Sequence, residues 1–492
     1  MNVTRRDFLK TAGVAAGVTI AAGYSPFSYA QNEKVRLAII GTGGQGSLHL
    51  REGLAPNHQI IELVATCDCY NLHRAGGIEE YNKAWKAANK DQDYPGEIKQ
   101  YMNYREMLEK EQLDAVIIAT PLDRHFQMTM DCLDAGKYVF CEKTLCYDIE
   151  QCRQVVQKCH DTGLFVQVGH QRRYNPLYNK ALWLALDPAM RDKGLVGRIN
   201  HIAVQWNRNS DWRRPVDPTI VLSEEEKQYI KTDLEHHLNW RLYNEFSAGG
   251  LMTELAAHQL DVTNWFLHSM PKRVMGTGGI DYWRDGREAY DNVSLVYEYE
   301  MLPDNPAFYQ IDKRNDRQDM AKINRPYTVR VTYSSICQNA QGMYSELLQG
   351  DRGALLMLSE TSAYIYAEEA AKARWDSGGV RTAQSVAAAV TSGKSLTTSK
   401  FEERIEIKVA NNKTYYRLQF ESFANDIKTK GTPKANQMVG LMAAVAALKG
   451  NEAMKTGGMI EIPSSLYTFD FETPDPYRYE YWPRWEPWEE NA

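Results

Sequence analysis

Apolar and polar positions along the chain change rhythm near residue 170. Before it, short apolar runs alternate with longer segments of mixed, helix-like character. The runs are Val35-Arg36-Leu37-Ala38-Ile39-Ile40, Gln59-Ile60-Ile61-Glu62-Leu63-Val64-Ala65-Thr66-Cys67-Asp68, Asp114-Ala115-Val116-Ile117-Ile118-Ala119-Thr120-Pro121, Lys137-Tyr138-Val139-Phe140-Cys141-Glu142-Lys143 and Leu164-Phe165-Val166-Gln167-Val168-Gly169. Runs of roughly four to eight residues, rich in Val and Ile and bounded by Gly, Asp or Pro, suit strands buried on both faces. The intervening pattern predicts helices over 47–54, 75–94, 104–110, 125–135 and 149–160, with Gly136 and Gly163 as stops. Strand and helix in strict alternation predict a doubly wound parallel sheet.

After residue 170 the apolar positions alternate singly, over 198–206, 292–300, 327–334 and 404–409. That period of two predicts a mainly antiparallel sheet with one solvated face. Helices are expected at 417–427 and 439–448, and a last short strand at 459–463. Polar stretches at 212–235, 303–325 and 371–400 read as surface insertions, and the chain has no internal repeats.

The first strand runs into Gly41-Thr42-Gly43-Gly44-Gln45-Gly46. In a G-x-G-x-x-G turn between a strand and a helix, the first Gly makes the turn. The second admits a pyrophosphate, and the third lets the helix pack on the strand. The next strand ends in Asp68, about 20 residues beyond the last glycine, where a carboxylate bonds the ribose hydroxyls. A carboxylate there favours NAD over NADP, although Arg74 lies close enough to accommodate a 2′-phosphate. Asp68 also reads as a simple strand-end cap. Ligands of such sheets bind at the carboxyl ends of the strands. Thr120-Pro121, Glu142-Lys143 and Gly169-His170 share that rim with the glycine turn.

Composition narrows the picture. The chain has 492 residues, 43% hydrophobic, with a net charge of −6. It can bury a large core, and it lacks the basic surface of a nucleic-acid binder. No run of about 18 or more apolar residues predicts a membrane span in the mature chain. The N-terminus, Thr4-Arg5-Arg6-Asp7-Phe8-Leu9-Lys10 followed by a modestly apolar run and Ser28-Tyr29-Ala30, resembles a twin-arginine export signal. It implies export to the periplasm with the export machinery as a partner. The eight cysteines contain no C-x-x-C pair and their spacings fit no zinc site, and folding before export argues against a disulfide framework.

Two places carry further chemistry. Lys143, after the fourth strand, is suited to donating to a substrate hydroxyl, with Glu142 beside it, although spacing alone fits a surface ion pair better. The second is 249–265, a helix entered through Gly249 and Gly250. At α-helical spacing Glu254, His258 and Asp261 share a face, so that an acid would orient the imidazole as a general base. A core histidine satisfied by its neighbour fits the spacing equally. H-E-x-x-H is absent, and no metal site is expected.

These features together resemble the Gfo/Idh/MocA oxidoreductases. The resemblance rests on the glycine turn, Glu142-Lys143, Gly169-His170-Gln171-Arg172-Arg173-Tyr174-Asn175-Pro176, and the Gly-Gly helix with its acid, His and Asp. It implies an α/β architecture: an N-terminal Rossmann doubly wound parallel sheet plus a C-terminal α+β domain with a large open sheet. The expected divisions are signal 1–30, dinucleotide-binding domain 31–170, substrate and oligomerisation domain 171–464, and aromatic-rich tail 465–492. The tail reads as a latch on the body or a neighbouring subunit, with sugar binding as the other reading.

The resemblance also implies NAD as cofactor, a sugar, glycoside or cyclitol as substrate, and a possible homo-oligomer. The candidate cofactor residues are Gly41, Thr42, Gly43, Gly44, Gln45, Gly46 and Asp68 in the first part of the rim. Thr120, Pro121, His125, Glu142, Lys143 and Gln171 complete the set. Lys143, His258 and Glu254 are the candidate catalytic groups, and Arg172, Tyr174, Glu254 and Asp261 the candidate substrate contacts. In the implied reaction His258 takes a proton from a secondary alcohol and Lys143 stabilises the alkoxide. Two departures from the family pattern stand out. Thr144 replaces the usual Pro after Glu-Lys, and Glu254 replaces the usual Asp. The alternative is a glycoside hydrolase that retains NAD and works by transient oxidation and elimination.

Overall fold

The computed structural model describes residues 33–186, 195–310, 324–367, 404–410 and 413–471. The twin-arginine segment, the 371–400 insertion, much of the 303–325 insertion and the tail beyond 471 lie outside the described residues. The apolar runs form β1 (Val35–Ile40), β2 (Ile61–Cys67), β4 (Ala115–Ile118), β5 (Tyr138–Cys141) and β6 (Val166–Val168), joined at the edge by β3 (Lys99–Tyr101). The order is β3-β2-β1-β4-β5-β6, and every pairing is parallel. Leu37, Ala38 and Ile39 of β1 and all of β4 have no solvent exposure, as a parallel sheet covered on both faces requires. Strand order reverses between β1 and β4, which opens the rim crevice at that point. β3 escapes the sequence reading because it is three residues long and polar at an exposed edge.

The helices of this half are α1 (Gly44–Leu48), extended by a π-turn over His49–Leu54, α2 (Asn71–Ala88), α3 (Tyr104–Lys110), α4 (Leu122–Asp134) and α5 (Ile149–Thr162). α2 begins four residues before the expected start and contains Gly77. A Cβ there would sit 2.7 Å from Thr42 Cβ, so this glycine lets α2 close on the nucleotide turn.

The second half holds a nine-stranded sheet: β7 (Ile199–Trp206), β8 (Pro271–Gly279), β9 (Asn292–Met301), β10 (Tyr327–Ile336), β11 (Tyr344–Gly350), β12 (Gly353–Ser359), β13 (Ser362–Ala367), β14 (Arg404–Glu406) and β15 (Ile460–Glu461). The order is β14-β13-β12-β11-β7-β10-β9-β8-β15, antiparallel throughout except for β7 beside β10. Val293, Leu295, Tyr297, Tyr299 and Met301 alternate inward along β9. Onto this face pack α6 (Ala257–Leu267) and α8 (Gln437–Thr456), the latter also against α5, while α7 (Tyr415–Thr429) packs on the π-turn after α1. One core therefore runs through both halves. The described start of the tail lies on α5: Arg153 donates to Ser465 O and Thr468 O and sits 4.4 Å from the Phe469 ring centre, and Phe471 stacks on His160. Among the described residues no helix is long and apolar enough to cross a membrane.

Candidate active site

A cleft of about 960 Å³ lies over the rim of the parallel sheet, walled on its other side by residues of the second half. At one end β1 runs into Gly41, whose φ of +87° is costly for any residue with a Cβ. A Cβ on Gly46 would lie 1.9 Å from Gly41 O, so only glycine lets α1 rest on the turn. Gly43, Gly44 and Gln45 line the cleft. Thr42 points away from it: its N–H donates to Asp68 Oδ2 at 2.8 Å, and its hydroxyl donates to His73 O at 2.8 Å. Asp68 Oδ1 accepts from Tyr70 N at 2.9 Å.

The strand-end capping role and the cleft-lining position thus belong to the same carboxylate, and Oδ1, with one bond accepted, keeps a lone pair for a ribose hydroxyl. Arg74 is committed elsewhere, donating to Asp68 O at 2.9 Å and to Asn71 Oδ1. Glycines without Cβ atoms, cleft-facing backbone and a rim carboxylate fit a dinucleotide without a 2′-phosphate.

Thr120, Pro121 and Gln171 also line the cleft. His125 does not. It is buried between Thr144 O at 2.8 Å and Thr120 O at 3.0 Å, and burial draws its pKa down. Its place is to brace the ends of β4 and β5 against each other.

At the other end of the cleft, Glu142 Oε1 lies 2.6 Å from His49 Nε2 and 3.2 Å from Gln45 Nε2, and Oε2 accepts from Lys143 N at 3.1 Å. Burial pushes its pKa up, but His49 and Lys143 more than offset this and hold it below the usual glutamate value. A Cβ on Gly169 would lie 2.7 Å from Glu142 Oε2, so this glycine makes room for the carboxylate. His49, with ring neighbours Phe140, Tyr416 and Phe420, is a site residue the sequence reading missed. Its signal was its place three residues after Gly46.

Lys143 reaches across the cleft. Its Nζ donates to Glu254 O at 2.9 Å and pairs with Glu254 Oε1 at 3.3 Å, while Arg241 Nε donates to Glu254 Oε2 at 2.8 Å. Burial raises the pKa of Glu254, yet Lys143 and Arg241 together hold it below the usual range. The Lys143–Thr144 peptide is cis, and Thr144 Oγ1 donates to Thr253 O at 2.7 Å.

His258 lines the same end of the cleft, its ring 5.5 Å from that of Trp206. Burial, then the positive charge of Lys143, lowers its pKa well below 6.5. Among the described residues Nδ1 is buried without a hydrogen-bond partner, which leaves Nε2 to the cleft.

The expected acid–histidine alignment is not observed. Glu254 lies in a π-turn, Met252–Ala256, which precedes α6, so the α-helical spacing that would stack Glu254 under His258 does not apply. Asp261 is turned to Arg173, accepting from Nε at 3.0 Å and Nη2 at 2.7 Å. Arg172 and Tyr174 are also absent from the cleft wall. Arg172 is buried against Glu346 and Glu360, and the Tyr174 hydroxyl accepts from Ala435 N at 3.2 Å. These three belong to the junction between the halves, not to the substrate pocket. The cleft gains instead Trp206, which the sequence placed on a strand, Arg214, which it placed in a surface insertion, and Arg241, which lay in neither.

Residues 35–170 match a family model described as "Oxidoreductase family, NAD-binding Rossmann fold", and residues 189–302 match "GFO/IDH/MocA C-terminal domain". Among curated proteins, the chain is 29% identical over 231 residues to an alpha-N-acetylgalactosaminidase of Shewanella oneidensis, covering 43% of this chain and 48% of that one. It is 28% identical over 241 residues to an inositol 2-dehydrogenase of Salmonella typhimurium, covering 49% and 56%. The matched region is thus about half the length of the curated relatives. In fold the chain resembles the WlbA dehydrogenase of Bordetella pertussis, solved with NADH and UDP-GlcNAcA. The TM-score is 0.54 at 17% identity, over 88% of this chain and 99% of that one.

Proposed function

Because the chain belongs to the Gfo/Idh/MocA oxidoreductases, we propose that it oxidises or reduces a secondary hydroxyl carbon of a sugar, glycoside or cyclitol with NAD. The observation that carries this reading is the meeting of Lys143, from the parallel-sheet half, with His258 and Glu254, from the other, at the end of the cleft remote from Asp68. NAD bound along the rim supplies the hydride acceptor.

The rest falls to the chain's own side chains. His258 is neutral at pH 7, so Nε2 is free to accept the hydroxyl proton. The Lys143 ammonium, itself largely buried, stabilises the alkoxide oxygen at that end of the cleft. Glu254, kept ionised by two cations, fixes Lys143 in place and does not itself handle protons. Trp206 offers an apolar face beside His258 on which a sugar ring can rest.

Replacing His258 with Ala, or Lys143 with Met, should lower kcat by about 100- to 10,000-fold on the best sugar substrate. The measurement is NADH absorbance, and near-wild-type turnover by either variant refutes that residue's role. The likeness to an alpha-N-acetylgalactosaminidase favours a second reading, an NAD-retaining glycoside hydrolase. It predicts aglycone release with no lasting NADH signal.

The Arg5-Arg6 pattern supports export to the periplasm by the twin-arginine route. Changing both arginines to Lys should leave the protein in the cytoplasmic fraction. Periplasmic recovery of that variant equal to wild type would end the export reading.

A further inference from the structure

The insertion between β7 and the Met252–Ala256 turn borders the cleft and is fastened to both halves. On the nine-stranded-sheet side, Arg213 donates from Nε to Asp285 Oδ2 at 3.3 Å and from Nη2 to Asp285 O at 3.0 Å. On the parallel-sheet side, Asn71 N donates to Glu226 Oε1 at 2.9 Å, just beyond Asp68, and the His237 ring lies edge-on to Tyr70. Between these anchors the backbone of Arg214 is clamped by Asn239, which accepts from Arg214 N at 2.6 Å and donates to Arg214 O at 3.1 Å.

The Arg214 side chain points at the glycine turn. Its Nη2 lies 2.7 Å from the position a Gly44 Cβ would take, and the His73 ring lies 3.3 Å from that of Gly43. Among the described residues no group accepts a hydrogen bond from the Arg214 guanidinium. Partial burial and then the charge of Arg241 draw its pKa down, and no carboxylate opposes them. The guanidinium thus lies against a turn that has no side chains, with another cation behind it and no acid in front, and a diphosphate seated on that turn would meet it there.

We propose that residues 211–241 form a strap over the bound dinucleotide, and that Arg214, which lies against the glycine turn, shifts aside to grip the diphosphate seated there. The cofactor then leaves only when the strap lifts. This rests on the NAD reading above. A grip on the diphosphate predicts sensitivity to phosphates and indifference to adenosine, a pattern that general loosening of the fold does not give.

The test is calorimetric binding of NAD, ADP-ribose and adenosine to the purified full chain freed of nucleotide, as wild type, Arg214→Ala and Arg214→Lys. Arg214→Ala should weaken NAD and ADP-ribose by about 10- to 100-fold, the worth of one charge-assisted contact. Adenosine binding should be unchanged and Arg214→Lys intermediate. Glu226→Ala, which removes the acceptor of the Asn71 N–H and so unfastens the strap without touching the diphosphate, should speed NAD association and dissociation together in stopped-flow displacement. NAD affinity in Arg214→Ala within about twofold of wild type, or an equal loss for adenosine, overturns the grip. Unchanged NAD rates in Glu226→Ala overturn the strap. Wild-type protein that binds neither NAD nor ADP-ribose overturns the cofactor reading instead.

Discussion

Glu254 and His258 show how far residue types alone reach. Both were legible as chemistry because an acid and an imidazole on one apolar helix demand a reason. Their relation was not, because the expected pairing assumed α-helical geometry and the chain makes a π-turn there. The carboxylate answers Lys143 and Arg241, and among the described residues the imidazole has no acid partner. This has a kinetic consequence. A histidine whose folded pKa lies well below 6.5 is already neutral at that pH, so it gains no further basic form as pH rises through it. The acidic limb of kcat/KM for sugar oxidation should therefore fall below pH 6.5, where an unperturbed histidine would place it. A pH–rate profile checks this, and a limb at or above 6.5 would contradict the neutral ring.

At the level of elements, the parallel strands announced themselves because burial on both faces leaves unbroken apolar runs. β8 did not, since Gly276, Gly278 and Gly279 make Pro271–Gly279 look like a loop. Those glycines are there for contact: a Cβ on Gly278 would lie 2.7 Å from the Tyr290 ring and 2.8 Å from Met454 Sδ.

The family resemblance put Arg172 and Tyr174, on the short Gln171–Tyr174 turn, in the substrate pocket. The turn's arginines instead rivet it to the second half. Arg172 meets Glu346, whose pKa burial raises despite Arg172, and the guanidinium lies 5.3 Å from the Tyr344 ring centre. Removing one member of a buried ionic cluster strands the others, at a cost of about 3–5 kcal/mol. Arg172→Met should show that loss in urea unfolding while the KM for sugar stays near wild type. A raised KM with unaltered stability would return Arg172 to the pocket.

For the whole molecule, the sequence divided the chain where its hydrophobic rhythm changes, and the two sheets fall on either side of that point. What no local pattern carried is how the parts meet. The long-range contacts that build the cleft, Lys143 with Glu254 and Glu142 with His49, join residues 111 and 93 positions apart. Nor did polarity reveal that the 212–235 insertion borders the nucleotide turn. A surface segment and a cleft wall have the same composition when the cleft is built for a charged ligand.

The two walls of that cleft are made at different times. The glycine turn, Asp68 and Lys143 all precede residue 170, and Arg214 with its anchors follows. A ribosome therefore makes the residues of the nucleotide seat before it makes the proposed strap, so any nucleotide held by the partly made chain would be held without Arg214.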